Sequence, residues 1–378
     1  MESSDAPLVL EQDDLIAAVR HALQVPAVRV WDWHVRPLSG GFEASSSVYH
    51  VSGDAWASDQ QLPWAAILKI IRPSVDRHEH THWNYWKREA DAYRSGWLQA
   101  EPAGLAAPRC YHISERADGS MWLWLEVLQD TASKPWSVST YERVAYQLGI
   151  FNGSHREHAS IGTERWMSGD WLRRYVTDYG QPLAHLPDLH NHPLVSKLYP
   201  PAMAHELFHL WQHREAFLAI LDRLPKVICH LDAWENNLFV TQITPVAVRI
   251  IAVDWAFVGI GAVGQELAPL IGMSETLSDE PGKIDAVEEP AIAAYLDGLY
   301  ASGWQGSERD VRLGYTIAMV LTYGLGGTGW ILGIMLDERQ HAWWEQATGQ
   351  PIEAGLEQLR RLTDICLRRA NQIERLVN

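Results

Sequence analysis

Cysteine is scarce in this chain. Its three copies, Cys110, Cys229 and Cys366, are far apart and odd in number, and none falls in a CxxC or other metal-ligand spacing. That excludes a disulfide framework and a thiolate zinc site, and it predicts a reduced protein of the cytoplasm. Cationic side chains are short too: 31 Lys and Arg stand against 47 Asp and Glu, a net charge of −16. A nucleic-acid binder needs a basic face, and an anionic membrane surface would repel this balance, so neither partner is expected. The same balance would draw in a cationic small molecule. No uninterrupted run of 18 apolar residues occurs, so no membrane-spanning helix is predicted. The first residues, MESSDAPLVLEQDDL, are acidic without an apolar core, so an ordinary signal peptide is not expected. Internal repeats and low-complexity tracts are absent as well.

What remains is an ordinary globular composition, 47% apolar and 21% charged over 378 residues, enough for two lobes with a core each. Residues 10–24 carry a helical period, with Leu15, Ile16, Val19 and Leu23 on one face. VRVWDWHVRPL alternates as a strand does. VYHVSG, WAAILKII and MWLWLEVL read as further strands, with WNYWKREADAYRSGWLQ a helix among them. Beyond Gln129 long helical periods take over: TYERVAYQLGIFNGSH, MAHELFHLWQHREAFLAILDRL and AGLEQLRRLTDICLRRANQIERLV. Two short β-branched runs, NLFVTQ and VRIIAVDW, interrupt them. The expected fold class is therefore α+β, with a small strand-rich N-terminal lobe over residues 1–128 and a larger helical C-terminal lobe over 129–378. Nineteen tryptophans are many for this length. Burial is the usual use of such residues, and stacking on a ring-bearing ligand is the alternative.

Moving a γ-phosphoryl group requires cations on the phosphates, a metal held by oxygen ligands, and a carboxylate for the accepting hydroxyl. The chain offers candidates for each. Lys69 lies in the strand AAILKII, and Glu89, in KREADAY, is placed to pair with it. Asp232 and Asn237 share one loop, and Asp254 ends the apolar strand RIIAV. Aspartate and asparagine oxygens suit magnesium, a hard cation that keeps some of its water.

These residues lie in CHLDAWENNLFV and IIAVDWAFVGIGAVGQELA, which resemble the signature of the aminoglycoside phosphotransferase and choline kinase-like family, relatives of the protein kinases. The usual pattern there is H-G-D-x-x-x-x-N, an apolar strand, then Asp-Trp or Asp-Phe. The resemblance implies a two-lobed protein kinase-like fold that moves the γ-phosphate of ATP or GTP, with Mg2+, to a hydroxyl on a small molecule. It makes His230 the loop histidine, Asp232 the catalytic base, and Asn237 and Asp254 the metal ligands. LSGGFEASSSVYHV resembles the family's nucleotide loop, with Gly40 and Gly41 for close approach to phosphate and Ser45, Ser46 and Ser47 as donors. Lys69 then holds the α- and β-phosphates with Glu89 behind it, and Glu126, in WLWLEVL, stands near the backbone that meets the adenine. The chain departs from the pattern at Leu231, where the family has glycine, and at Trp234 and Glu235, in place of the usual His-Pro. A third departure is Glu266, where an aspartate often anchors the loop.

Two rivals stay open at this point. HELFH matches HExxH, which on a helix would place His205 and His209 on one face for zinc, with Glu206 as general base of a metallopeptidase. The other is a non-catalytic, pseudokinase-like binding module. His78, His80 and His82 alternate in RHEHTHW and read as an exposed connection. The acceptor is not written in any motif. The acidic charge suits a polar or cationic one, and Trp166, Trp171, Trp304 and Trp330 would suit a larger ring-bearing one, antibiotics included.

Overall fold

The computed structural model describes residues 8–38, 46–57, 59–100, 103–155, 164–242, 248–277, 282–348 and 351–377. The chain divides into two compact units, one of Met1–Glu79, Tyr85–Pro102 and Ala106–Gln129, the other of His80–Asn84, Ala103–Leu105 and Asp130–Asn378.

The first unit is built on an antiparallel sheet of β1 (Arg29–Leu38), β2 (Ser46–Ala57), β3 (Gln60–Ile71), β4 (Cys110–Glu115) and β5 (Met121–Leu125), in the order β1-β2-β3-β5-β4. The two-residue period of β3 sorts its side chains. Trp64, Ala66, Leu68 and Ile70 enter a core shared with Leu15, Ala18 and Val19 of helix α1 (Gln12–Leu23). Lys69 falls between two of those positions and so belongs to the opposite sheet face. Helix α1 carries Asp13 and Asp14 in its first turn and Arg20 and His21 in its last, the arrangement its dipole favours. Asp14 also accepts from Ser114 Oγ at 2.6 Å and Arg116 Nη1 at 2.7 Å, which fastens α1 to β4. Helix α2 (Arg88–Arg94) is shorter than its sequence period predicts. Trp83 to Lys87 form turns, and the Asn84 N–H donates to His82 Nδ1 at 3.0 Å rather than to a helical carbonyl.

The second unit holds α3 (Val138–Ser154), α4 (Trp171–Tyr179), α5 (Pro193–Leu198), α6 (Pro201–Arg223), α7 (Leu267–Leu277), α8 (Lys283–Ala301), α9 (Glu308–Met319), α10 (Thr328–Leu336), α11 (Glu338–Thr348) and α12 (Ile352–Val377). Two short antiparallel pairs lie among them, β6 (Lys226–Cys229) with β9 (Gly259–Ala262) and β7 (Leu238–Gln242) with β8 (Val248–Ala252). Helices α3 and α8 touch backbone to backbone because each offers a glycine. A Cβ on Gly149 would come within 2.1 Å of Tyr295 O, and one on Gly298 within 2.0 Å of Tyr146 O. Helix α9 runs through a π-helical stretch, Val320–Gly327, into α10. The resulting 29-residue helix is long and apolar enough to cross a membrane by length and composition, but 72% of its apolar window is buried inside the protein. Its hydropathy is that of a core helix.

Candidate active site

In the first unit Lys69 Nζ lies 2.5 Å from Glu89 Oε2, the two side chains 11% and 2% exposed. Lys69 comes from the middle of the sheet, opposite Val48 on β2 and Leu123 on β5, and Glu89 from the first turn of α2. Such a pair gives little net stability, because desolvation offsets most of its attraction, yet losing one partner strands a buried charge. Its use is to hold an ammonium in one place. Ser46 opens β2 opposite Ile71; Gly40, Gly41 and Ser45 lie outside the described residues. Glu126 is engaged with Arg109, accepting from its backbone N–H at 3.2 Å and from Nη2 at 2.9 Å.

In the second unit one loop joins β6 to β7. Asn237 Nδ2 donates to Asp232 Oδ2 at 2.7 Å and to Asp232 O at 3.0 Å. Both partners are acceptors, so the amide nitrogen must face Asp232, and the amide oxygen is the atom that could hold a metal. The Val253 N–H donates to Asn237 O at 2.9 Å, which ties this loop to the residue before Asp254. Asp254 itself adopts φ +63° and starts a 3-10 turn, Trp255–Phe257. Burial pushes the Asp232 carboxyl well above the usual carboxylate range, and the negative charge of Asp254 adds to the rise. Two carboxyls that repel each other, beside an amide oxygen, form a donor set that fits a hard divalent cation. Among the described residues no group of three or more His, Cys, Asp or Glu side chains could hold a metal.

The loop is anchored from behind. Glu266, fully buried, accepts from the His230 N–H at 2.6 Å and the Leu231 N–H at 3.0 Å. Burial raises its carboxyl to about 7 despite those bonds. His230 Nε2 donates to Val253 O at 3.0 Å while its Nδ1 accepts from the Asp232 N–H at 3.3 Å, so the ring is a brace between the Asp232 loop and the residue before Asp254. Leu231 holds φ +67°, the conformation for which the family uses glycine. That costs a side chain ~1–2 kcal/mol, whereas burying a leucine returns ~1.5–3 kcal/mol, and Leu231 is only 4% exposed.

Residues the sequence did not single out, together with Trp171, which it did, complete this frame. Asn152 on α3 donates to Ile228 O at 2.7 Å and accepts from Tyr295 OH at 2.6 Å. A polar residue inside the apolar helical run GIFNGSH was the available signal. Five rings, Trp83, Trp171, Tyr175, Tyr179 and Phe257, pack together at centroid distances of 5.0 to 6.4 Å. Phe257 belongs to the Asp254 turn, and Trp83 Nε1 donates to Asp178 Oδ2 at 2.5 Å. The phenols of Tyr175 and Tyr323 are raised by burial, with a contribution from the Asp232 charge. Of the other candidate stacking residues, Trp166 donates to Glu164, Trp304 packs on Tyr300 and Trp330 on Trp344. On α6 the His209 and His213 rings meet at a tilt with centroids 4.1 Å apart, and among the described residues His205, Glu206 and His209 form no metal-binding group.

Residues 34–305, well over half of the chain, match the family model described as "Phosphotransferase enzyme family". No curated protein matches the chain at a significant level. Solved structures of similar fold include an ethanolamine kinase of Plasmodium vivax, with 13% identity, TM-score 0.52, and 88% of this chain and 81% of that one covered. A choline kinase of Cryptosporidium parvum Iowa II shows 13% identity, TM-score 0.51, and 97% and 100% coverage. The amicoumacin kinase hAmiN, in complex with AMP-PNP, Ca2+ and Ami, shows 13% identity, TM-score 0.52, and 84% and 89% coverage. These likenesses establish a kinase-like fold, strand-rich toward the N-terminus and helical toward the C-terminus. By its sequence match the chain belongs to the phosphotransferase enzyme family, kinases of small molecules that act on hydroxyl groups.

Proposed function

We propose that this protein transfers the γ-phosphate of ATP or GTP to a hydroxyl of a small cationic molecule. The observation that carries the reading is the joint placement of Asp232 and Asn237, bonded at 2.7 Å, with Asn237 tied by its carbonyl to the residue before Asp254. Asp232 orients the acceptor hydroxyl and takes its proton as the oxygen bonds to the γ-phosphorus and the nucleoside diphosphate leaves. Burial, with the Asp254 charge, raises that carboxyl above the usual range, which makes it a stronger proton acceptor than an ordinary one. Lys69, aimed by Glu89, holds the α- and β-phosphates. Asn237 Oδ1 and the Asp254 carboxylate would hold Mg2+. When bound, that ion offsets the charge of the phosphates.

The exposed Asp178 carboxylate at the edge of the ring cluster favours an acceptor with an amine or quaternary ammonium, since a carboxylate attracts cations. The net charge of −16 supports the same choice. Amino alcohols and aminoglycoside-type antibiotics both meet the description. A coupled assay for nucleoside diphosphate release, run with ATP and GTP against amino alcohols, aminoglycosides, neutral antibiotics and sugars, identifies the acceptor. Asp232→Asn should lose about 10²-fold or more in kcat while nucleotide affinity is kept. Unchanged turnover in that variant would remove Asp232 from the mechanism.

A further inference from the structure

We propose that Glu235 is a positioning residue for phosphoryl transfer, holding the Asp232–Asn237 loop against the strap of residues 130–141. The role rests on the phosphotransfer reading above. Glu235 sits between the two residues and is only 3% exposed. Oε2 accepts from Tyr141 OH at 2.9 Å, Oε1 from the Trp136 N–H at 3.2 Å, and its carbonyl from Lys134 Nζ at 2.6 Å. One residue thus engages three others on a single neighbouring segment.

The strap is itself held. Lys283 on α8 donates to Trp136 O at 3.0 Å, and Ser137 caps α3 by accepting from the Thr140 N–H at 3.3 Å. A second lacing lies at Val240, whose carbonyl accepts from Thr131 N–H at 2.9 Å and Thr131 Oγ1 at 2.6 Å. Its own N–H donates to Asp130 Oδ1 at 3.2 Å. The segment from Glu235 to Val240 is therefore tied to the strap at both ends, with Asn237 between the ties.

Both carboxylate oxygens of Glu235 meet neutral donors, a phenol and a backbone amide. A well-packed apolar residue would fill the same space without burying a carboxylate. What it could not supply is the fixed distance from the loop to Tyr141 and Trp136. Because Asp232 and Asn237 are bonded to each other, a shift at Glu235 reaches the base and the metal ligand together. A displacement of about 1 Å in such a group costs on the order of 10²-fold in rate.

Glu235→Ala, Glu235→Gln and Tyr141→Phe are compared with the wild type by turnover, nucleotide KM and amide hydrogen exchange. Glu235→Ala should lower kcat by about 10- to 100-fold, with nucleotide KM held within about twofold. Amides over 232–240 should exchange faster while those of α6 do not. Glu235→Gln keeps an acceptor for the Trp136 N–H and a donor for the Tyr141 oxygen, and should recover most of kcat. Tyr141→Phe should show a smaller loss that is not additive with Glu235→Ala. Wild-type kcat in Glu235→Ala, or unchanged exchange over 232–240, overturns the proposal. Should Glu235→Ala not fold, Tyr141→Phe carries the test: its exchange over 232–240 must rise, and an unchanged rate there overturns the proposal equally. A wild type that turns over no nucleotide sinks the phosphotransfer reading, and the exchange measurement still decides whether Glu235 holds the loop.

Discussion

Glu266 makes stability depend on pH in a direction opposite to the usual paired carboxylate. Lost hydration disfavours its ionised form, and the N–H groups of His230 and Leu231 recover only part of that loss, leaving the carboxyl at about 7 against an ordinary 4.5. In the unfolded chain the group gives up its proton as pH passes 4.5; in the folded protein it keeps it until about 7. Over that window the folded state binds more protons, so stability falls as pH rises and levels off above the folded value. The gap is worth ~3 kcal/mol at ~1.4 kcal/mol per pH unit. Glu266→Gln has the same shape but one amide oxygen for two N–H groups, a fixed cost independent of pH, and it has no charge to bury and so no slope. Urea unfolding followed by tryptophan fluorescence would be run on both proteins between about pH 5 and about pH 8. The stability difference should move in favour of the variant by about 2–3 kcal/mol across that range. A difference flat with pH would refute the buried-carboxyl reasoning. One moving toward the wild type at high pH would mean that the fold prefers ionised Glu266.

The Lys69–Glu89 pair separates stability from catalysis. Lys69→Met should cost ~3–5 kcal/mol by taking the ammonium away from buried Glu89, and Lys69→Met with Glu89→Leu should recover that stability with turnover still lost; thermal melts and the coupled assay read the two effects, and a double variant as unstable as the single would defeat the argument. Leu231→Gly should relieve ~1–2 kcal/mol of backbone strain but forfeit ~2–5 kcal/mol of packing. The net result is a loss of about 1–3 kcal/mol in urea unfolding, and a gain would show that strain outweighs burial there. Asp178→Asn should raise the acceptor KM by up to about fivefold and leave the nucleotide KM unchanged, since an ion pair near the surface is worth ~0.2–1 kcal/mol; a change in nucleotide KM alone would take Asp178 out of acceptor binding.

Local pattern carried the fold wherever one element's own period decided it. The alternation in WAAILKII places Lys69 on the face away from α1, and the period of residues 10–24 gives α1 its buried side. Pattern failed where a partner elsewhere decides. Trp83 has helical neighbours in sequence but packs with Phe257 and α4 residues, which breaks the helix before α2. The β6–β9 pair, KVIC against GIGA, is too short and too rich in glycine to show a period of two. The site divides the same way. Asp232, Asn237 and Asp254 were legible because their spacing is fixed by one loop and one hairpin, β7–β8. Asn152, Tyr295 and Tyr141 were not, because each acts from a distant helix: Tyr141 on the loop through Glu235, Asn152 on β6, and Tyr295 on Asn152.

The departures from the His-Gly-Asp pattern make physical sense only as a set. A leucine at φ +67° is stable in that conformation when the peptide units around it are held: Glu266 takes the Leu231 N–H and the His230 N–H before it with separate oxygens, and the Asp232 N–H goes to His230 Nδ1. An aspartate, one methylene shorter, would bring its carboxyl closer to its own backbone and reach the pair less easily. A longer anchor deep in the protein raises the cost of its charge, which is why Glu266 titrates near 7. The far end of the same loop lacks the rigid proline of the usual His-Pro, and there Glu235 supplies by hydrogen bonds to Trp136 and Tyr141 the constraint a ring would supply by covalent geometry. The loop is therefore fixed at both ends by buried glutamates, and its rigidity depends on side-chain contacts with α3 and the Gly264–Leu267 turn more than on its own backbone.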